Sequence, residues 1–102
     1  MATATAASEG ARSSAFTGEL LVVIGPPGAR RTSLLRDLAE RLRPAGDALR
    51  LDDPDAGLDA AARVRMWSAL RRTAEAGATV IAACTSAESA GAAPHRTVLL
   101  PR

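Results

Sequence analysis

Apolar positions along the chain fall into short unbroken runs, separated by stretches where they recur every three or four residues. Glu19–Ile24 (ELLVVI) and Ala78–Ala83 (ATVIAA) are of the first kind. Runs without alternation predict strands buried on both faces, as in a parallel sheet. Leu34, Leu35, Leu38, Ala39 and Leu42 form one stripe of a helix opening at Thr32 or Ser33. Arg36, Asp37, Glu40, Arg41 and Arg43 lie opposite, and Pro44, Ala45 and Gly46 stop the helix. Ala48–Asp52 (ALRLD) predicts a shorter strand, ending in an acidic turn marked by Pro54 and Gly57. A second helix, capped by Asp59, runs to Ala76 with Val64, Trp67, Leu70 and Ala74 buried and Gly77 behind it. Thr85–Ala93 predicts a short alanine-rich helix with Glu88 exposed, and Thr97–Leu100 a last strand. This alternation gives an α/β fold with parallel strands and right-handed crossovers.

Composition narrows the picture. Residues 1–17 carry no period, no apolar block and no secretory h-region, which predicts a disordered leader before a single domain over 18–102. Phe16 and Trp67 are the only aromatics, so the core is built of Leu, Val, Ile and Ala and is thinly packed. All 13 basic residues are arginine, and the net charge of +2 gives no argument for nucleic acid. The single Cys84 excludes an internal disulfide and fits a reducing cytoplasm. No run approaches the roughly 20 apolar residues of a membrane helix.

The chemistry gathers after the first strand. A phosphate-binding loop reads G-x-x-x-x-G-K-[ST]. Gly25, Pro26, Pro27, Gly28 and Ala29 fill the first five places; Arg30 stands at the second glycine, Arg31 at the lysine and Thr32 at the hydroxyl, with Ser33 following. Amides at the start of such a helix favour an anion, and Thr32 would offer its hydroxyl to Mg²⁺. Arg30 brings a Cβ where glycine allows close approach, and the planar fork of Arg31 differs from a compact ammonium. Asp52 and Asp53 end the second strand, where one acid can hold a hydrated metal and the next can orient a water. A structural glycine–proline turn and a solvated acidic turn remain open as the plainer readings. So do an exposed His95, Cys84 as a small hydrophobe, Trp67 as packing, and Arg30–Arg31 and Arg71–Arg72 as solvated charges, the first pair being placed to meet an anion.

GELLVVIGPPGARRTSLLRDLAERLRPAGD resembles the opening of the nucleotide-binding subunit of ATP-binding cassette (ABC) transporters. LRLDDPDAGLDAAARVRMWSALRRTAEAGATVIAACTS resembles its end. The resemblance implies that Arg31 stands at the phosphate-binding lysine of Walker A, with Thr32 as a Mg²⁺ ligand. It puts Asp52 at the Walker B aspartate, Asp53 at the catalytic glutamate, Gly57-Leu58-Asp59 at the D-loop and Thr85 at the switch histidine. The Q-loop, helical subdomain, LSGGQ signature and adenine-stacking aromatic have no counterpart. The implied fold is a three-layer P-loop NTPase core whose small, mainly parallel four-stranded sheet has order 5-1-4-3, with edge strand 2 missing. In segments, Thr97–Leu100 lies beside Glu19–Ile24, then Ala78–Ala83, then Ala48–Asp52. The implied function is weak ATP or phosphate binding, with Mg²⁺ as cofactor and little or no hydrolysis. The alternative is a non-catalytic scaffold that pairs with a full cassette or transporter. Implied partners are a transporter membrane subunit, another cassette, or a second copy through an exposed sheet edge. The implied location is the cytoplasm, at the inner face of the cell membrane.

Overall fold

A computed structural model describes residues 18–42 and 48–100. The expected leader and the Pro44–Gly46 helix stop lie outside the described residues. Seven elements alternate: β1 (Leu20–Ile24), α1 (Ala29–Arg41), β2 (Ala48–Asp52), α2 (Ala60–Glu75), β3 (Thr79–Cys84), α3 (Ala87–Ala90) and β4 (Arg96–Leu99). The strands form one parallel sheet of order β2-β3-β1-β4. The label 5-1-4-3 differs from this order in its numbers because it counts a strand that these elements do not include. In segments, β1 pairs with both β3 and β4, and β2 pairs with β3.

Every residue of β1 and β3 is buried, as unbroken apolar runs require, and their side chains feed two separate cores. Leu20, Val22, Ile24, Val80, Ala82 and Cys84 pack on one face with Trp67 and Ala74 of α2 and Ala90 of α3. Leu21, Val23, Ile81 and Ala83 pack on the other with Leu35 and Leu42 of the α1 segment. The period of two along a strand puts alternate residues into opposite layers. A helix on each face therefore covers the sheet. The edge strands are less covered: Leu49 of β2 is 44% exposed and Leu99 of β4 is 69% exposed. Among the described residues no helix is long and apolar enough to cross a membrane.

The structure changes several local expectations. Helix α1 begins at Ala29, three residues before Thr32, because Gly28 takes φ 145° and admits the chain directly into the first turn. Asp59 caps α2 as expected, its Oδ1 accepting from the Ala62 amide at 2.8 Å, and Gly77 follows the helix at φ 118°. Trp67 and Ala74 are buried, but Val64 is 65% exposed, at a hollow it lines beside Trp67; Met66 packs against the core. His95 is not an exposed loop residue. Its Nδ1 accepts from the Leu20 amide at 2.8 Å, and its backbone amide donates to the Leu20 carbonyl at 2.9 Å. Nor is Arg71 merely solvated, because its Nη1 donates to the carbonyls of Ala92 and Ala93 at 3.2 and 2.7 Å.

Candidate phosphate loop and its acidic pair

The parallel register brings three strand ends to one edge. Ile24 is level with Cys84, and Asp52 with Ala83, so the residues that follow β1, β2 and β3 emerge side by side. In open α/β sheets this carboxyl edge is where ligands bind. The Gly25 amide still donates to the Cys84 carbonyl at 3.1 Å, and the Asp53 amide to the Ala83 carbonyl at 2.9 Å. The loop and the acidic turn are thus held by extensions of the sheet itself.

Gly25 is fixed by space. A Cβ there would stand 2.6 Å from the Leu100 Cβ, because Leu100 donates its amide to the Ile24 carbonyl at 2.8 Å and lies against the loop. Gly28 is fixed by conformation, since a Cβ would meet nothing within 4 Å but φ 145° disfavours one. Pro26, Pro27, Ala29 and Arg30 are exposed around the opening of α1. The residue before the helix is glycine, so the first-turn amides have no capping side chain from it. A shallow hollow of about 340 Å³, lined by Ala29, Arg30, Ser33, Leu34, Asp37 and Leu100, lies beside that turn. A larger hollow of about 620 Å³ lies between α2 and the α3 region, and no loop or acidic-turn residue lines it.

Arg31 is the unexpected residue. Solvated charge was one reading of it, yet it is 1% exposed. Its side chain turns beneath the loop and ends between two carboxylates. Nε donates to Asp52 Oδ1 at 3.1 Å, and Nη2 lies 3.0 Å from both Asp52 Oδ1 and Asp53 Oδ2. Nη1 donates to the Gly25 carbonyl at 3.0 Å and to Thr85 Oγ1 at 3.4 Å. Every nitrogen of the guanidinium therefore has an acceptor, which is what makes its burial tolerable. Asp53 reaches this position through φ 57°, a left-handed conformation that aspartate tolerates better than most residues. The Thr32 hydroxyl lies 3.2 Å from both Asp52 Oδ2 and the Gly28 carbonyl.

Of the residues singled out in the sequence, Gly25, Gly28, Arg31, Thr32, Asp52, Asp53 and Thr85 meet in one hydrogen-bonded cluster. Ser33 stands outside it and contacts Arg36 at 3.4 Å. Three features of the edge escape the sequence reading: the burial of Arg31, the role of Leu100, and an Asp55–Ser89–Trp67 chain. In that chain Ser89 Oγ donates to Asp55 Oδ2 and accepts from Trp67 Nε1 at 3.3 Å, tying the acidic turn to α3 and the core. The burial of Arg31 had a signal. It precedes Leu35 by one helical interval and so continues the stripe of Leu35, Leu38 and Leu42.

The resemblance implies Mg²⁺ held by Thr32 and Asp52, and the two do stand together. The donor set nevertheless does not fit a divalent cation. Asp52 Oδ1 already meets two guanidinium nitrogens, Asp53 Oδ2 meets one, and Asp52 Oδ2 faces the Thr32 hydroxyl. No group of three His, Cys, Asp or Glu able to hold a metal occurs among the described residues. Behind the edge, burial pushes the Cys84 thiol above its usual range, with the Asp55 charge adding to the effect, which disfavours the reactive thiolate.

Comparison with known proteins gives one local likeness. The chain is 50% identical over 42 residues to the cytochrome c biogenesis ATP-binding export protein CcmA of Rhizobium meliloti (strain 1021). The match covers 41% of this chain and 20% of that protein, about a fifth of the relative's length. No family model and no solved structure matches the chain. The likeness is to an ATP-binding protein, and it joins a parallel α/β sheet that carries a glycine loop at its carboxyl edge.

Proposed function

We propose that the chain is an ABC-type nucleotide-binding domain, truncated and degenerate, that binds ATP or a related phosphate weakly and hydrolyses it little or not at all. The observation that carries this reading is the opening of α1 at Gly28, on the carboxyl edge of a parallel sheet, with Thr32 against Asp52. Amides of residues 28–31 are the binding groups, because their affinity for an anion does not depend on side-chain identity. The local similarity to an ATP-binding export protein supports the same assignment.

The same geometry argues against turnover. Hydrolysis requires charge stabilisation at the γ-phosphate and a group free to orient water. Asp53, at the place of the catalytic acid, has its Oδ2 held by Arg31, and Thr85, at the place of the switch histidine, accepts from the same guanidinium. Arg31, at the place of the lysine, is turned into the protein and not toward the open side of the loop. On this reading the partners are a transporter membrane subunit or another cassette, and the location is the cytoplasm at the inner face of the membrane.

Calorimetric titration with ATP tests the reading, using the natural chain beside an Arg30→Gly/Arg31→Lys double variant. Weak heat from the natural chain and stronger heat from the variant are expected. No heat from either sinks nucleotide binding. Binding only after restoration marks a decayed site. A scaffold role has one observation in its favour, the exposed Leu49 and Leu99 on the two edge strands. Light scattering that returns a monomer at all accessible concentrations removes its homodimer form.

A further inference from the structure

We propose that the Arg31 guanidinium stands in for the divalent cation of this site, as the fixed counter-ion of Asp52 and Asp53, and that the loop consequently takes its phosphate ligand without Mg²⁺. The second clause rests on the phosphate reading above; the first does not.

Charge makes the case first. Two carboxylates converge at the strand ends, and one tethered cation sits between them at 3.0 Å from an oxygen of each. A divalent ion entering at Asp52 Oδ2 would have to share that carboxylate with a guanidinium already on its other oxygen. Like charges held this close repel, and the guanidinium, buried as it is, cannot turn out to water to relieve the repulsion. Arg31 cannot simply withdraw: it is 1% exposed and also bonds the Gly25 carbonyl, so leaving would strand that buried acceptor without a donor.

Geometry makes it again. Mg²⁺ demands near-octahedral oxygen ligands and gives up its waters reluctantly. A planar fork with donors on three nitrogens is suited instead to bridging two carboxylates and a carbonyl at once, which a lysine ammonium does less completely. An arginine at the place of the motif's lysine therefore does more than preserve a charge. It exchanges a cation aimed at the ligand for one aimed at the acids, and so replaces the metal.

The plainer account is an internal ion cluster that leaves a metal free to bind Thr32 and Asp52 from the solvent side. Manganese distinguishes the two. The full-length ¹⁵N-labelled chain is titrated with Mn²⁺ alone, and paramagnetic broadening is followed at the Thr32, Asp52 and Asp53 amides. The natural chain is expected to show no localised broadening. Arg31→Met is expected to gain it, with Mn²⁺ affinity higher by about a hundredfold, the effect of removing one adjacent positive charge. Arg31→Lys, which keeps the charge but covers fewer oxygens, gains a smaller part and serves where the methionine variant does not fold. Localised broadening in the natural chain, or no gain in either variant, overturns the counter-ion assignment.

ATP calorimetry in EDTA and in Mg²⁺ tests the ligand clause. Affinities equal within about twofold support it, and tenfold tighter binding with Mg²⁺ overturns it while sustaining the phosphate reading. No heat in either buffer removes the phosphate reading and the ligand clause with it. The Mn²⁺ titration still decides the counter-ion on its own.

Discussion

The two ends of the sheet each carry an arginine among carboxylates, and they differ in almost everything except those residue types. At the carboxyl end Arg31 is sealed, its side chain 2% exposed, between Asp52 and Asp53. At the amino end Arg71 meets Glu75 at 2.9 Å, and Glu75 also meets His95 Nε2 at 3.1 Å, with the Glu75 side chain 48% exposed. Water screens the second group and is excluded from the guanidinium of the first. The same chemistry therefore makes a structural keystone at one end and a rim contact at the other.

Arg31→Met tests that contrast most severely. It leaves two acids without their cation, and a loss of about 3 kcal/mol is expected, the low end for a broken buried pair because both acids are partly exposed. Urea denaturation reads it as a lower midpoint. Arg31→Lys should lose less, and an unchanged midpoint in both variants would remove the distinction between the two ends.

Gly25→Ala probes the same end through packing alone. The added methyl would fall 2.6 Å from the Leu100 Cβ, so the chain leaving β4 must shift. Overpacking of this kind costs about 1–3 kcal/mol. A thermal melt should show it, with Leu100→Gly, which removes that Cβ, recovering part of the loss in the same chain. A loss that Leu100→Gly leaves untouched would place the strain in the loop and not in that contact.

The sheet was more legible in the sequence than the edge it supports. Buried strands such as Leu20–Ile24 announce themselves by unbroken apolar runs, and α2 by Asp59 and Gly77, because these depend on local pattern. The cluster around Arg31 was legible in membership but not in arrangement. Motif spacing together with the ABC resemblance brought Arg31, Thr32, Asp52, Asp53 and Thr85 onto one list, yet the resemblance implied a phosphate for Arg31. Which way a long side chain turns is decided by partners 21 and 54 residues away, Asp52 and Thr85, and no local pattern carries that information. Val64 fails for a related reason. A valine one turn before Trp67 looks like core, but it lines the hollow between α2 and the α3 region and is left exposed there.

His95 sharpens the comparison at the amino end, where a backbone contact outweighs the charges. Nδ1 accepts from the Leu20 amide at the first position of β1, a donor that no other strand takes up there. His95→Ala orphans it, at a cost of about 1–2 kcal/mol. His95→Asn, which can return an acceptor to the same amide, should recover part of the loss. Hydrogen exchange at Leu20 reads the contact directly. Equal protection in the natural chain and the alanine variant would show that the imidazole does not hold the strand.

Glu75 supplies the smallest effect and fixes its sign. Its carboxyl is held below the ordinary 4.5, first by the hydrogen bond from His95 and then by that from Arg71. Because Nδ1 of His95 is occupied as an acceptor, Nε2 carries the ring proton and donates it to Glu75. A carboxyl with a depressed folded pKa is protonated more readily in the unfolded chain. Its stabilisation is therefore complete above the unfolded pKa and disappears as pH falls through the folded one. Melting temperatures of the natural chain and Glu75→Gln should differ slightly at neutral pH and converge below the ordinary carboxylate range. Salt should shrink the difference at neutral pH, since the group is exposed. The Arg31 guanidinium is buried from those ions although its acids are partly exposed, so that cluster should keep more of its contribution in the same buffers. A salt response as large at Arg31 as at Glu75 would mean that burial does not separate the two ends after all.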